Sequence, residues 1–309
     1  MTREAGSSTS PDPGAPRDAL TGLVDEYVAA LVANDPGEVP IAPDATFVEN
    51  VERKTPGEGL WETATAGPSG FELYVPDPVA GQVGYLGLLR EGDDPALLGL
   101  RLRVEDGLIT EMEHVIGRDL TPGRDGHTNL DNLDSPRSVF RHPVPPAARN
   151  THEELLGIAA DYYDALAEDD GSRTPFATNC VRIENGFQTT CKTPPPNPDA
   201  AELLRTLDAG EQLDSGAFSN ITRVEARRVG VADVETGLVC GLAILRHPME
   251  ETTLDIAGVP GVETVERDFE PFDTVAMHVF RISGGKIRAI EAVGFRAPYD
   301  SPSGWESHP

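Results

Sequence analysis

The chain has 309 residues and carries 52 Asp and Glu against 25 Lys and Arg, a formal charge of −27. A surface this acidic repels phosphate backbones and anionic bilayers, which argues against nucleic acid or membrane as a partner. No apolar run reaches the ~20 residues of a membrane span, and the length suits two domains of ~100–200 residues each, so the expectation is a cytoplasmic globular protein.

In chain order, residues 1–17 lack the apolar segment of a secretory signal and read as a disordered leader. Leu20, Leu23, Val24, Tyr27 and Leu31 then recur at helical spacing on one apolar face. A polar turn, Asn34-Asp35-Pro36-Gly37, ends that helix. Further on, Leu98, Leu100, Leu102 and Val104 alternate with Gly99, Arg101 and Arg103, the period of a strand with one buried face. Glu105-Asp106-Gly107-Leu108 turn the chain, and Ile109–Ile116 return. Residues 119–150 hold five prolines and little periodicity, the profile of a linker.

The same order then repeats. Residues 155–185 match residues 20–50 at a constant offset, Tyr162 falling on Tyr27 and Glu184-Asn185 on Glu49-Asn50. Residues 233–245 match 77–89, and 280–296 match 102–118, with the offset rising each time. Blocks kept in order with growing insertions mark a tandem duplication. Copy one spans residues 18–118 and copy two 151–297, followed by a tail over 298–309. Helix first and hairpins after is an α+β layout, each copy being helices packed on an antiparallel sheet.

Three cysteines, Cys180, Cys191 and Cys240, lack metal-ligand spacing. Cys180 and Cys191 lie symmetrically about Asn185-Gly186, so a two-residue turn there places them opposite one another. A disulfide and free thiols are both open, with free thiols the expectation inside a cell. No phosphate loop, nucleophile elbow or metal-binding histidine pattern is present.

The opening helix with Asp161-Tyr162-Tyr163-Asp164, the strand segments Phe47–Asn50 and Arg182–Asn185, and the closing hairpins with Asp106-Gly107 and Gly284-Gly285 resemble the nuclear transport factor 2-like, or SnoaL-like, superfamily. The resemblance implies two tandem cone-shaped domains, each enclosing an apolar pocket, in a two-copy family of unsettled function. It also implies a sheet surface by which such domains pair. A tandem chain satisfies that surface internally as a pseudo-dimer, so a monomer or a weak homodimer is expected. The helix motif is similar to that of the scytalone dehydratases, with Asp161 and Tyr162 at the matching positions.

The sharpest candidate for chemistry is a cross-strand pair. If Ile282 faces Ile287 across the Ser283–Lys286 turn, an unbroken ladder sets His278 opposite Glu291 on an apolar face. In copy one the equivalent pair is Leu100 and Glu113, a carboxylate without the histidine. A buried imidazole held by a carboxylate suits a general base; a satisfied structural pair is the alternative. His114 has no acid partner in this register. Asp161 flanks the apolar stripe, and Tyr162 lies on it. Arg182, Glu184, Asn185 and Gln188 are candidates for binding substrate at the pocket mouth, though retention of Glu-Asn in both copies also suits a structural role. The leading expectation is a cofactor-free isomerase, dehydratase or related lyase acting on an apolar, oxygenated small molecule, with no metal. In it His278 is the base, Glu291 its orienter, and Asp161 with Tyr162 the acid side. A non-catalytic binding module or an interaction scaffold is the alternative.

Overall fold

The computed structural model describes residues 16–118, 130 and 133–306; the leader and much of the linker fall outside them. Copy one opens on α1 (Arg17–Val32), which buries Leu20, Val24, Tyr27, Val28 and Leu31. There follow β1 (Ile41–Glu49), β2 (Glu52–Lys54), the single-turn α2 (Leu60–Thr63), β3 (Glu72–Asp77), β4 (Gln82–Glu91), β5 (Asp94–Glu105) and β6 (Leu108–Arg118). These six strands form one sheet in the order β2-β1-β6-β5-β4-β3.

After the short α3 (Ser138–Arg141), copy two begins with α4 (His152–Glu168). Thr151 and Glu154 form a reciprocal capping box that fixes its start. Then come β7 (Phe176–Glu184), β8 (Phe187–Gln188), α5 (Ala200–Leu204), α6 (Ala209–Asp214), β9 (Arg223–Asp233) and β10 (Leu238–His247). A small hairpin, β11 (Thr253–Asp255) with β12 (Thr264–Glu266), precedes β13 (Phe272–Ser283) and β14 (Lys286–Pro298). The main sheet runs β8-β7-β14-β13-β10-β9, the order of copy one strand for strand. Among the described residues no helix is long and apolar enough to cross a membrane.

Both main sheets are mixed rather than purely antiparallel. In each copy the first strand lies parallel to the last, β1 on β6 and β7 on β14. The meander from β3 to β6, or β9 to β14, separates these partners in sequence and supplies the long connection a parallel pair needs.

The closing hairpin decides which side chains face where. Next to the turns Val104 faces Ile109 and Ile282 faces Ile287, as the sequence suggests. The next pairs are Arg103 with Glu111 and Arg281 with Ala289, so Thr110 and Arg288 are extra residues in matching β-bulges. Because side chains alternate with a period of two, one extra residue reverses the faces of everything beyond it. His278 therefore sits opposite Ala292, and Glu291 opposite Val279. The expected His278–Glu291 pair is overturned. His278 lies on the face that carries α4, and Glu291 on the face turned to copy one.

Those second faces meet. Leu73, Val75, Leu86, Leu97 and Val115 of copy one share one buried cluster with Val231, Cys240, Leu242, Met277, Val279 and Val293 of copy two. Two glycines set the spacing: a Cβ on Gly84 would stand 2.8 Å from the Cys240 Cβ, and one on Gly99 2.6 Å from Val293 Cγ1. The contact is reciprocal at its ends. Arg17 donates to Asp233 at 2.7 Å, and His152 to Asp77 at 2.7 Å. Arg17 and His152 are equivalent positions, as are Asp77 and Asp233, so the same tie is made twice across a pseudo-two-fold.

The polar content of this interface is asymmetric. Glu113, 1% exposed, accepts from Arg101 Nε at 3.2 Å and from Arg228 Nε at 3.1 Å. Both guanidinium groups lie over the Trp305 ring. Its counterpart Glu291 has Val279 where copy one has Arg101, and Oε1 has no partner among the described residues. Burial pushes the Glu291 carboxyl up to about 8, with Arg137 working in the opposite direction. A carboxyl raised by folding costs stability as pH climbs from its unfolded value through its folded one. Glu291→Gln removes that cost. In urea unfolding, wild type and variant should match closely near pH 4.5. The variant should gain by about 1.4 kcal/mol for each unit of the raised pKa by pH 8.5; a difference independent of pH would show that the carboxyl is not held protonated by the fold.

Candidate functional site

Copy two carries a cavity of about 270 Å3 between α4 and the face of its sheet that carries the helix. Helix α4 contributes Tyr162, whose ring packs edge-on against Phe280 at 5.1 Å and His278 at 5.4 Å. Strand β7 contributes Arg182 and Glu184, β13 contributes Thr274, Ala276 and His278, and β14 contributes Ala292. His247 at the end of β10 and Phe218, beyond α6, complete the wall.

The hydrogen-bond network assigns the histidine tautomers. Tyr163 Oη lies 3.1 Å from His278 Nδ1, and burial holds the tyrosine well above its usual pKa, so it stays protonated. The Tyr163 hydroxyl has no other hydrogen-bond partner among the described residues, so its buried proton is satisfied by donation to Nδ1, which leaves the His278 proton on Nε2. Asn220 Nδ2 lies 3.3 Å from His247 Nδ1, and Thr274 Oγ1 lies 3.2 Å from Nε2. His247 thus donates from Nε2 to Thr274, whose own hydroxyl proton is left to donate elsewhere. Burial, with the Arg182 charge, pushes His278 down to about 3; burial, with the Arg296 charge, pushes His247 down to about 4.

Arg182 is the only cation fully inside this wall among the described residues, at 2% exposure. Its Nε donates to Glu184 at 2.5 Å, its Nη2 bonds Gln212, and its guanidinium lies 4.8 Å from the Phe218 ring centroid. Nη1 has no partner among the described residues. Burial opposes the charge, but Glu184 and Tyr162 outweigh it. Burial raises Tyr162 to about 12, with Arg182 pulling the other way.

Copy one shows the same wall filled in. Phe47 stands at the position of Arg182, Leu98 at Ala276, Leu100 at His278 and His114 at Ala292, all buried. Trp61 of α2 packs edge-on against Tyr27 at 5.1 Å and joins the same core. His114 does have an acid partner, contrary to the hairpin register: Glu49 comes from the parallel neighbour β1, with Oε2 3.3 Å from Nδ1. Tyr27 donates to His114 Nε2 at 2.9 Å, so both ring nitrogens are consumed. Burial raises Glu49, but hydrogen bonding to His114 and to the Leu60 amide brings it below the usual range.

Of the residues singled out in the sequence, His278, Tyr162, Arg182, Glu184 and Asn185 line the cavity. Glu291 does not, being on the opposite face of the sheet. Asp161 is exposed on α4, one position past the buried stripe. Gln188 turns to the backbone, donating to the carbonyls of Thr190 and Cys191. Asn185 latches its hairpin to β14 through both directions of the Gly294 peptide, and Asn50 repeats part of this by accepting from Ile116. Asn185-Gly186 forms the expected turn, with Ile183 facing Gln188 and Glu184 facing Phe187. Cys191 has left that ladder, at φ 52°, and both thiols are free.

Residues 148–294, which span nearly all of copy two, match a family described as a domain of unknown function, DUF8021. Copy two is similar to that family. No curated protein matches the chain.

Tyr163, His247, Thr274 and Phe218 escape sequence reasoning. Tyr163 carries a weak signal as the second tyrosine of Asp-Tyr-Tyr-Asp, where copy one has Val28. His247 ends β10 after the apolar run Leu238–Leu245 and Arg246, and nothing in the spacing marks it as inward.

The network makes a spectroscopic expectation. In 15N-histidine-labelled protein, the His278 signal, assigned by its loss in His278→Leu, should keep a neutral, Nε2-protonated pattern from pH 8 down to pH 5. A titration midpoint above pH 6 would overturn the tautomer and the burial behind it. The same depression means that stability from this group is full above about pH 6.5 and is lost as pH falls toward 3, because the unfolded imidazole protonates first.

Proposed function

We propose that copy two is a small-molecule site for a largely apolar, oxygen-bearing ligand, and that copy one is its closed structural partner. The observation that carries this is the paired comparison. Copy one fills its core with Leu98, His114 and Trp61, whereas copy two has Ala276 and Ala292 at the first two of these positions and keeps about 270 Å3 open. An unfilled core volume costs stability, so a space kept beside polar groups is better explained by an occupant than by packing. The resemblance to the nuclear transport factor 2-like superfamily, with its cone-shaped domains around an apolar pocket, supports the same reading.

A second reading, cofactor-free proton transfer as in an isomerase or lyase, is favoured by the grip of Tyr163 on His278. In it His278 acts as a neutral hydrogen-bond donor that polarises a carbonyl oxygen, since its depressed basicity removes it as base. Glu184, bonded to Arg182, is the lining carboxylate available for that task.

Ala292→Phe tests the site. Copy one carries the larger His114 there, so the fold should hold, by circular dichroism. Ligand-observed NMR with one- and two-ring aromatic fragments should find binders to wild type that lose at least tenfold in affinity to the variant. Fragments that bind both proteins equally would place them elsewhere and remove the basis for the proposal.

The mutual cover of the two sheets also bears on assembly. The chain is proposed to be monomeric in solution, and analytical ultracentrifugation should give the mass of one chain across micromolar concentrations. A stable dimer at the lowest of these would contradict it.

A further inference from the structure

We propose that the ligand of the copy-two cavity is a carboxylate on an apolar body of one or two rings, its oxygens accepting from Arg182 Nη1 and His278 Nε2. This rests on the reading of the cavity as a small-molecule site.

The deep wall offers donors. Arg182 has two of its nitrogens occupied, by Glu184 and Gln212, and Nη1 unpartnered among the described residues. His278 has Nδ1 taken by Tyr163 and only Nε2–H to offer. Thr274 accepts from His247 and keeps its hydroxyl proton to give. Among the acceptors of the wall, Glu184 Oε1 takes both Arg182 and Thr189, and the Asn185 amide is held on both sides by Gly294. A carboxylate brings several acceptor sites and no proton to these donors, where an alcohol brings one oxygen and a proton of its own.

Charge points the same way. Arg182 and Arg296 line the cavity against the single carboxylate Glu184, a local reversal in a chain of net charge −27. The depression of both lining histidines is partly the work of these two arginines. Copy one has Phe47 in place of Arg182, so the cation belongs to the open copy alone. Bracing by Glu184 and Gln212 fixes the guanidinium before any ligand arrives, which limits the ordering cost of binding. The remaining wall, including Ala276, Leu245 and Phe218, is apolar. The volume is nearly twice the ~150 Å3 that admits benzene, enough for a bicyclic body.

The test uses the full chain at pH 7 and two probes of one shape, 2-naphthoate and the uncharged ketone 2-acetonaphthone, by isothermal titration. Naphthoate should bind at least tenfold more tightly to wild type. In Arg182→Met that preference should fall to within about threefold. Equal or tighter binding of the ketone to wild type overturns the carboxylate proposal and leaves the cavity reading standing. Failure of both probes at millimolar concentration overturns both. A preference that survives in Arg182→Met overturns the role given to that residue. The wild-type comparison decides the charge preference by itself, whether or not the variant folds.

Discussion

The position of one extra residue in each closing hairpin, Thr110 in copy one and Arg288 in copy two, governs the rest of the structure. Because strand side chains alternate, this bulge sorts each long strand into a face for the helix and a face for the sister sheet. Arg101 and Glu113 are thereby sent into the seam between copies, where Arg228 joins them, while His114 is sent inward to meet Tyr27 and Glu49. In copy two the same shift gives His278 to the cavity and strands Glu291 in the seam.

On that common frame the copies have parted by a few substitutions and two insertions. The inner histidine is kept at the same cross-strand pair but on opposite strands: β6 in copy one, opposite Leu100, and β13 in copy two, opposite Ala292. In copy one both its nitrogens are satisfied by protein; in copy two one is satisfied and the other left. The segments after β8 and β10 add a satellite cluster of Leu204, Leu254, Ile256 and Val265, against which Phe218 packs. Phe218 in turn covers the Arg182 guanidinium. The insertions therefore roof the space that α2 and Trp61 close in copy one.

Much of this was legible in the amino-acid order. Internal repetition exposed the duplication, the apolar stripes marked α1 and α4, and Asn185-Gly186 fixed its turn. What failed was the ladder beyond the closing turn. A bulge at Arg288 leaves no composition signal, since an arginine suits an exposed bulge and a regular strand alike, yet it moves Glu291 from beside His278 to the other side of the sheet. Partners brought by β1 and β7 were equally hidden. Parallel pairing joins residues far apart in sequence, so no local spacing links Glu49 to His114. Arg182 was legible as a polar group beside Glu184-Asn185, but its depth in the wall was not.

The seam between the sheets also dictates an order of events at the ribosome. Leu73, Val75, Leu86, Leu97 and Val115 take much of their cover from strands of copy two, and β14 ends 180 residues after β6. At ~5–20 residues per second, copy one waits roughly 10–35 s with that apolar face open. Residues beyond β14 add to the seam: Gly304 lies against Val48 and Val51, and Trp305 covers Arg101 and Arg228. A nascent chain stalled inside copy two would thus present a sticky half-protein, a natural client for chaperones that bind exposed apolar sheet.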